Sequence, residues 1–231
     1  MKKLTAVILT LVMALALAAC SGGNEEETTT AADVTATEAA VATNDGENQS
    51  ALKGKTLVAF FTARNNTTVN ASADSLSSST QSTVGNTAYG NAQLLAKYAV
   101  DYTGADVFAI QTVKAYDEDY NDAIEDAQEE QNENARPELK SKVANMEDYD
   151  NIVLIYPCWW GDVPMAVATF LETYDFSGKT IYPVSTHAGS GLGSSVGTIK
   201  SLAKGATVKD GLDVPGSSVA GAEADMQAYL G

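Results

Sequence analysis

Apolar residues recur along this chain in two rhythms. From Lys55 onward, four runs of seven or eight residues, Lys55–Thr62 (KTLVAFFT), Asp106–Thr112 (DVFAIQT), Asn151–Pro157 (NIVLIYP) and Lys179–Thr186 (KTIYPVST), are rich in β-branched and aromatic residues. Near-continuous apolarity over such short runs marks strands buried on both faces, as in a parallel sheet covered by helices. Between the runs the period lengthens to that of a helix. Gly90–Gly104 sets Leu94, Leu95, Tyr98, Ala99 and Tyr102 at helical spacing with Gly104 as a stop, and Asp119–Pro137 reads as an acidic helix halted before Pro137. Val163–Tyr174 and Gly193–Gly205 predict helices after the third and fourth strands. A weaker fifth strand lies in Ala206–Val214, with a closing helix in Val219–Gly231. The alternation predicts an α/β fold, a doubly wound three-layer sandwich around a five-stranded parallel sheet. In that architecture ligands bind beyond the carboxyl ends of the strands.

The first 52 residues do not fit this rhythm. Lys2 and Lys3 precede an apolar run, Leu4–Ala19, that is short for a membrane span and has the basic and hydrophobic parts of an export signal. It ends in LAAC, Leu17–Cys20, which resembles the lipobox of bacterial lipoproteins, where the signal is cut before the cysteine and the thiol is acylated. The other reading is an export signal cut at an Ala-rich site with Cys20 incidental. Ser21–Leu52 has no aromatic or basic residue and no sustained apolar period, so it cannot bury enough surface to offset the entropy of ordering. The expected organisation is a signal over residues 1–19, a lipidated Cys20 with a disordered acidic tether to residue 52, and one domain over 53–231. The expected location is outside the cytoplasm, anchored to the cell membrane by lipid. No later segment is long and apolar enough to span, and Cys158 is the only cysteine besides Cys20, so the domain holds no disulfide.

Charge then limits the partners. The whole chain carries a formal charge of −16, with 14 basic and 30 acidic residues. Two of the bases fall in the leader and seven of the acids in the tether, which leaves the domain at about −11. Such a surface repels nucleic acid and anionic lipid and favours small ligands or basic partners.

Three stretches sit at the expected carboxyl ends of strands: Thr62–Thr68 (TARNNTT), Cys158–Asp162 (CWWGD) and Thr186–Ser195 (THAGSGLGSS). Hydroxyls and amides beside a helix amino end supply donors for a phosphate. Adjacent indoles supply a flat apolar surface, and glycines let backbone approach a planar ligand. A phosphorylated flat heterocycle such as FMN uses all three.

With these motifs the chain resembles the flavodoxins, most specifically over Tyr156–Ser195 and in the RPELK of Arg136–Lys140. The resemblance covers Lys53–Gly231. It implies a flavodoxin-like sandwich of strand order 2-1-3-4-5 and noncovalent FMN, whose ring would be bordered by Pro157, Cys158, Trp159, Trp160 and Gly161 on one side. On the other side would lie Thr186, His187, Ala188, Gly189, Ser190 and Gly191. The phosphate loop departs from the usual S/T-x-T-G-N-T, because TARNNT lacks the glycine and Gly85-Asn86-Thr87 follows only after an insert rich in Ser, Thr and Asn. The phosphate site is therefore split between Thr62, Arg64, Asn65 and Asn66 and the later Gly85, Asn86 and Thr87, either half being able to dominate. Thr62 and Thr87 are the expected hydroxyl donors, with Asn86 at the helix entrance.

Plainer roles stand beside these. The tryptophans suit a core or an interface, and His187, the chain's only histidine, suits a loop hydrogen-bonder as well as a ring contact. Cys158 reads as an inert thiol, and the acidic run Asp117–Glu133 as a solvated helix face or a docking patch for a basic partner. No metal-ligand spacing and no Ser, His and Asp trio stands out. The resemblance implies electron transfer with a redox partner protein or a quinone. The alternatives are an FMN-dependent reductase of a quinone or other small acceptor, and a flavin-free surface binding module.

Overall fold

A computed structural model describes residues 50–66, 81–117 and 120–231 of the chain. The expected leader, Cys20 and all but the last three residues of the tether lie outside the described residues. The side chains of Arg64 and Asn65 do too.

In chain order the strands are β1 (Thr56–Phe60), β2 (Gln81–Val84), β3 (Thr87–Gly90), β4 (Asp106–Ala109), β5 (Asn151–Pro157), β6 (Thr180–His187), β7 (Thr207–Val208) and β8 (Leu212–Pro215). The helices are α1 (Asn91–Thr103), α2 (Tyr120–Asn132), α3 (Met165–Thr173), α4 (Ser195–Leu202) and α5 (Glu223–Leu230). The main sheet is parallel throughout and runs β4-β1-β5-β6-β7, with β8 also on β6. With β7 and β8 sharing one position, this is the expected 2-1-3-4-5 order.

The strands are buried on both faces for the reason their sequences give. Leu57, Ala59 and Phe61 of β1 and its exit, with Ile152, Leu154 and Tyr156 of β5, point to the side covered by α3 and α4 through residues such as Phe170 and Ile199. Val58, Phe60, Val153 and Ile155 point the other way, onto Leu94, Leu95 and Ala99 of α1 and Met226 and Leu230 of α5. Period-2 alternation along each strand thus feeds two apolar layers, one per face. Leu52 joins the second layer, and Ser50 and Ala51 bond to the carbonyls of Leu230 and Gly231, so the folded chain takes in the last residues expected in the tether.

Two departures from the sequence expectation have physical causes. The fifth strand is broken in two. Thr180 donates to Asp150 O and Thr186 O accepts from Cys158 N–H, so even-numbered residues of β6 bond to β5 and odd-numbered ones face the fifth position. Pro183 is odd-numbered and has no N–H to offer there, so the ladder lapses between the Ile181–Val208 and Val184–Leu212 pairs. The second departure is the antiparallel hairpin β2–β3, which turns at Gly85 (φ 60°) and Asn86 just before α1. Its strands are only four residues each: β2 falls in the insert rich in Ser, Thr and Asn, and β3 begins at Thr87, the last residue of the Gly85-Asn86-Thr87 motif.

Candidate functional site

The carboxyl ends of β1, β5 and β6 open into three loops. Residues far apart in sequence tie those loops together.

The β1 exit meets the start of α1. Thr62 is buried, and a β-carbon at Gly90, the residue capping α1, would collide with Thr62 Oγ1. Only glycine lets the hydroxyl sit against the helix entrance. Gly90 brings no side-chain cap. Its own N–H donates to Gln93 Oε1 (3.1 Å), while Asn91 Oδ1 accepts from Ser82 Oγ (2.7 Å). The first amides of this 13-residue helix therefore receive no acceptor from the cap residue, beside a hydroxyl and at the positive end of the macrodipole. A hydroxyl packed against a glycine-capped helix start is a donor set of the kind that receives a phosphate, and the missing methyl group is what lets the hydroxyl lie there.

Of the expected phosphate residues, the structure brings only part together. Asn66 is buried, and its amide donates to Thr62 O (2.8 Å) and Ile110 O (3.2 Å) while Oδ1 accepts from the Thr112 N–H (2.8 Å) and hydroxyl (3.2 Å). Both of its amide hydrogens are used in clamping the β1 exit to the β4 exit, so it has no donor left for a ligand. Gly85, Asn86 and Thr87 form the tip of the hairpin, and at about 3.3 Å per residue Thr87 lies roughly 10 Å along β3 from Gly90. Asn86 is thus not at the helix entrance. The entrance is Gly90–Asn91, where the helical stretch Gly90–Gly104 read from the sequence begins, and the expectation for Asn86 falls one hairpin strand short of it.

The two tryptophans part company. Trp159 and Asp162 exchange backbone hydrogen bonds (2.9 and 3.0 Å) around a two-residue turn, with φ 49° at Trp160 and 78° at Gly161. Positive φ at both central positions is the type I′ pattern, natural for Gly161 and a strain of about 1–2 kcal/mol for a tryptophan. Trp159 turns inward, edge-on to Phe61 (5.2 Å between centroids) and Tyr116 (5.3 Å). Trp160 stays 48% exposed, and its Nε1–H donates to Ile124 O of α2 (2.9 Å). One indole supports the loop, and the other offers an open face held at a fixed angle. Pro157 and Cys158 lie half-buried beneath them, Cys158 N–H bonding Thr186 O (2.7 Å).

Asp162 and the glycine-rich loop lock this turn to α4. Asp162 Oδ1 accepts from Val163 N–H (2.7 Å), and Oδ2 accepts from the hydroxyls of Ser194 (2.9 Å) and Thr198 (2.7 Å). Ser194 N–H donates to Gly161 O (2.8 Å), and a β-carbon at Gly193 would strike that carbonyl. The turn and the loop are therefore one surface. His187 does not reach out toward it. Its side chain is 7% exposed, its Nδ1 accepts from Gly189 N–H (2.9 Å) and its Nε2 pairs with Asp213 Oδ2 (3.2 Å). Thr186 is buried, whereas Ala188, Gly189 and Ser190 are exposed and Gly191 half-buried. Gly193, Ser194, Thr198 and Asp213 were not foreseen, since each acts through a partner distant in sequence.

On the far side of Trp159, Tyr116 donates to Glu130 Oε2 of α2 (2.9 Å). Burial raises Glu130 above the usual carboxylate range, an effect the Tyr116 hydrogen bond partly offsets. Burial, with the charge of Glu130 and the hydrogen bond to it, raises Tyr116 well above an ordinary phenol.

The flavodoxin family model matches residues 80–225, from the hairpin to α5. A crystal structure from Bacteroides uniformis, of a protein provisionally assigned as a flavoprotein, shares 25% identity with a TM-score of 0.57, covering 77% of this chain and 97% of that one. A second such protein, from Bacteroides eggerthii, shares 25% identity with a TM-score of 0.52 over 76% of this chain and 98% of its own. A flavoprotein of Lactobacillus acidophilus, solved in complex with FMN, has the same fold at 17% identity and a TM-score of 0.51, over 76% and 99% of the two chains. No curated protein matches the chain.

Proposed function

The chain belongs to the flavodoxin family, and from that premise we propose that it binds FMN and carries electrons at the outer face of the cell membrane. The observation that carries this reading is the convergence of an anion cradle, Thr62 with the amino end of α1, and an open indole, Trp160, on one end of a parallel sheet. The cradle suits the phosphate, and the type I′ turn and the Ala188–Gly191 loop suit the ring. Bound FMN supplies an electron carrier that accepts and releases single electrons.

The protein's own contribution is position and charge. The carboxylate and the imidazole nearest these loops are already engaged. Asp162 has both oxygens in hydrogen bonds and His187 both nitrogens, so neither stands ready to shuttle protons to a substrate. That favours electron transfer over a reductase working by acid or base catalysis. The strongly negative domain opposes adding a further anion at the ring, which lowers the potential for the second electron below that of free FMN. Cys20, as the acylated anchor, and a tether of about 30 residues would let the domain range roughly 30 Å from the membrane and meet a basic redox protein or a quinone.

An absorption spectrum of the purified full chain after adding FMN tests the reading. A bound flavin spectrum with no steady-state quinone turnover supports the carrier, rapid turnover supports a reductase, and absence of binding removes both. Cys20→Ala should abolish labelling by a palmitate analogue, and equal labelling of the variant would refute the anchor.

A further inference from the structure

The loop after β6 has little of its own to hold its shape. Gly189, Gly191 and Gly193 all take positive φ (122°, 60° and 54°), and Ala188 and Ser190 are exposed. What fixes its first turn is the imidazole of His187, whose Nδ1 accepts the Gly189 N–H two residues on (2.9 Å). A neutral imidazole has one bare nitrogen and one N–H. The Gly189 amide needs the bare one at Nδ1, so the proton must sit on Nε2, where Asp213 Oδ2 accepts it at 3.2 Å. A carboxylate on this side selects the tautomer that the loop requires.

The broken fifth strand explains how Asp213 comes to be there. β7 pairs with β6 at an offset of 27 residues (Thr180 with Thr207), and β8 at an offset of 28 (Val184 with Leu212). One extra residue therefore lies between them, opposite the stretch where Pro183 cannot donate. A one-residue slip turns every following side chain to the other face of a sheet. Without it Leu212 would stand opposite Ser185. With it Asp213 does, on the face shared by Ser185 and His187, and its Oδ2 lies 3.9 Å from where a β-carbon of Gly191 would be.

We propose that Asp213 and His187 are a positioning pair for cofactor binding: the carboxylate selects the Nε2-protonated imidazole, and the bare Nδ1 holds the Ala188–Gly191 loop in its receiving shape. This rests on the FMN reading above. The pair does not touch the flavin in this scheme and acts through the Gly189 amide.

His187 is the only histidine of the chain, so its ring nitrogens give unambiguous resonances in a full-length protein purified without a histidine tag. Long-range proton–nitrogen correlation on the flavin-free protein should show protonated Nε2 and bare Nδ1, and Asp213→Ala should give a mixture of tautomers. FMN titration should then separate two isosteric changes. His187→Asn places an amide oxygen near the position of Nδ1 and should recover most of the affinity. His187→Gln places its amide near Nε2 and should bind FMN on the order of tenfold more weakly, the value of one hydrogen bond. A proton found on Nδ1 in the wild type, or equal affinities for the Asn and Gln variants, would overturn the positioning pair while leaving the flavin reading intact. A wild type that shows the expected tautomer yet binds no FMN would sink the flavin reading, and the pair's role in receiving it.

Discussion

Gly90 offers a test of the cradle that isolates a single contact. Its backbone sits at φ −63° and ψ 143°, open to any residue, so Gly90→Ala introduces no backbone strain. The added methyl group would collide with Thr62 Oγ1 and press on Thr62 Cβ (3.2 Å) and Cγ2 (3.3 Å). Overpacking of this kind costs about 1–3 kcal/mol. Two other effects accompany the change: alanine is a poorer cap than glycine, and it narrows the unfolded ensemble by about 0.4–1 kcal/mol. Neither depends on residue 62. The same substitution in a Thr62→Ala background meets only the β-carbon, so a double-mutant cycle cancels the other effects and leaves the contact.

The coupling energy from urea unfolding of the four proteins should fall at about 1–3 kcal/mol, with Thr62→Ala rescuing Gly90→Ala. Ligand binding adds a second arm. If Thr62 Oγ1 donates to a phosphate, Thr62→Ala should weaken FMN by roughly tenfold to a hundredfold, as for a hydrogen bond to a charged group, and leave riboflavin, which lacks the phosphate, nearly unaffected. An additive cycle would mean that Thr62 does not hold the helix entrance. Equal losses for FMN and riboflavin would mean that the phosphate lies elsewhere.

Other expectations follow from the same loops. Trp159→Ala should cost roughly 3 kcal/mol in urea unfolding because it empties the contact with Phe61 and Tyr116, whereas Trp160→Ala should cost little stability and weaken FMN by at least tenfold; the reverse pattern would exchange their roles. Glu130 titrates higher in the folded protein than in the unfolded chain, so its contribution to stability is full below the unfolded value near 4.5 and is lost as pH rises through the folded one. Relative to Glu130→Gln, whose amide oxygen can still accept from Tyr116, the wild type should therefore lose stability as pH rises from 4.5 toward neutrality, and a constant difference would refute this. Among the described residues the hydroxyl of Tyr229 is buried without a hydrogen-bond partner, so Tyr229→Phe should raise stability by about 1 kcal/mol in the same assay, and a loss of that size would reveal a partner.

The sequence made the sheet legible because burial on both faces leaves a continuous apolar run, and such runs stand at β1, β5 and β6 with boundaries good to a residue or two. α1 was equally plain, from its helical spacing to the Gly104 stop at φ 65°. The fifth strand was faint because Pro183 divides it, and a break imposed by a neighbouring strand leaves no mark within Ala206–Val214 itself. The hairpin is not legible because β2 and β3 are four residues each and outside the main sheet, so neither leaves the continuous apolar run that marks a buried strand. In the site, residue types were readable while partners were not. Asn66 looked like a phosphate donor by composition, and only Thr112 and Ile110, more than 40 positions away, show that it is a clamp. The pairing of two tryptophans suggests one platform, yet Trp159 stands at the end of the turn and packs on Phe61 and Tyr116, while Trp160 at its centre bonds Ile124 O.

That turn shows where the strain in the site comes from and what balances it. A tryptophan at φ 49° is about 1–2 kcal/mol above an ordinary backbone, and it persists only if its surroundings fix it. Four bonds do so from three directions: the Trp159–Asp162 pair closes the turn, Ile124 O holds the indole, and Ser194 N–H pins the Gly161 carbonyl. Asp162 joins the same set through Ser194 and Thr198. An acid-to-lysine change there would break the anchor of α4 along with any effect of charge on the flavin. Asp162→Asn is the sounder probe of electrostatics, since its one amide oxygen can still accept from the Ser194 and Thr198 hydroxyls while the charge is removed, at the loss of the bond from Val163 N–H. If the negative field of this carboxylate helps to depress the second one-electron potential, the Asn variant should raise that potential with little change in FMN affinity. A potential unchanged by Asp162→Asn would assign Asp162 to holding the turn alone and leave the depression to the charge of the domain as a whole.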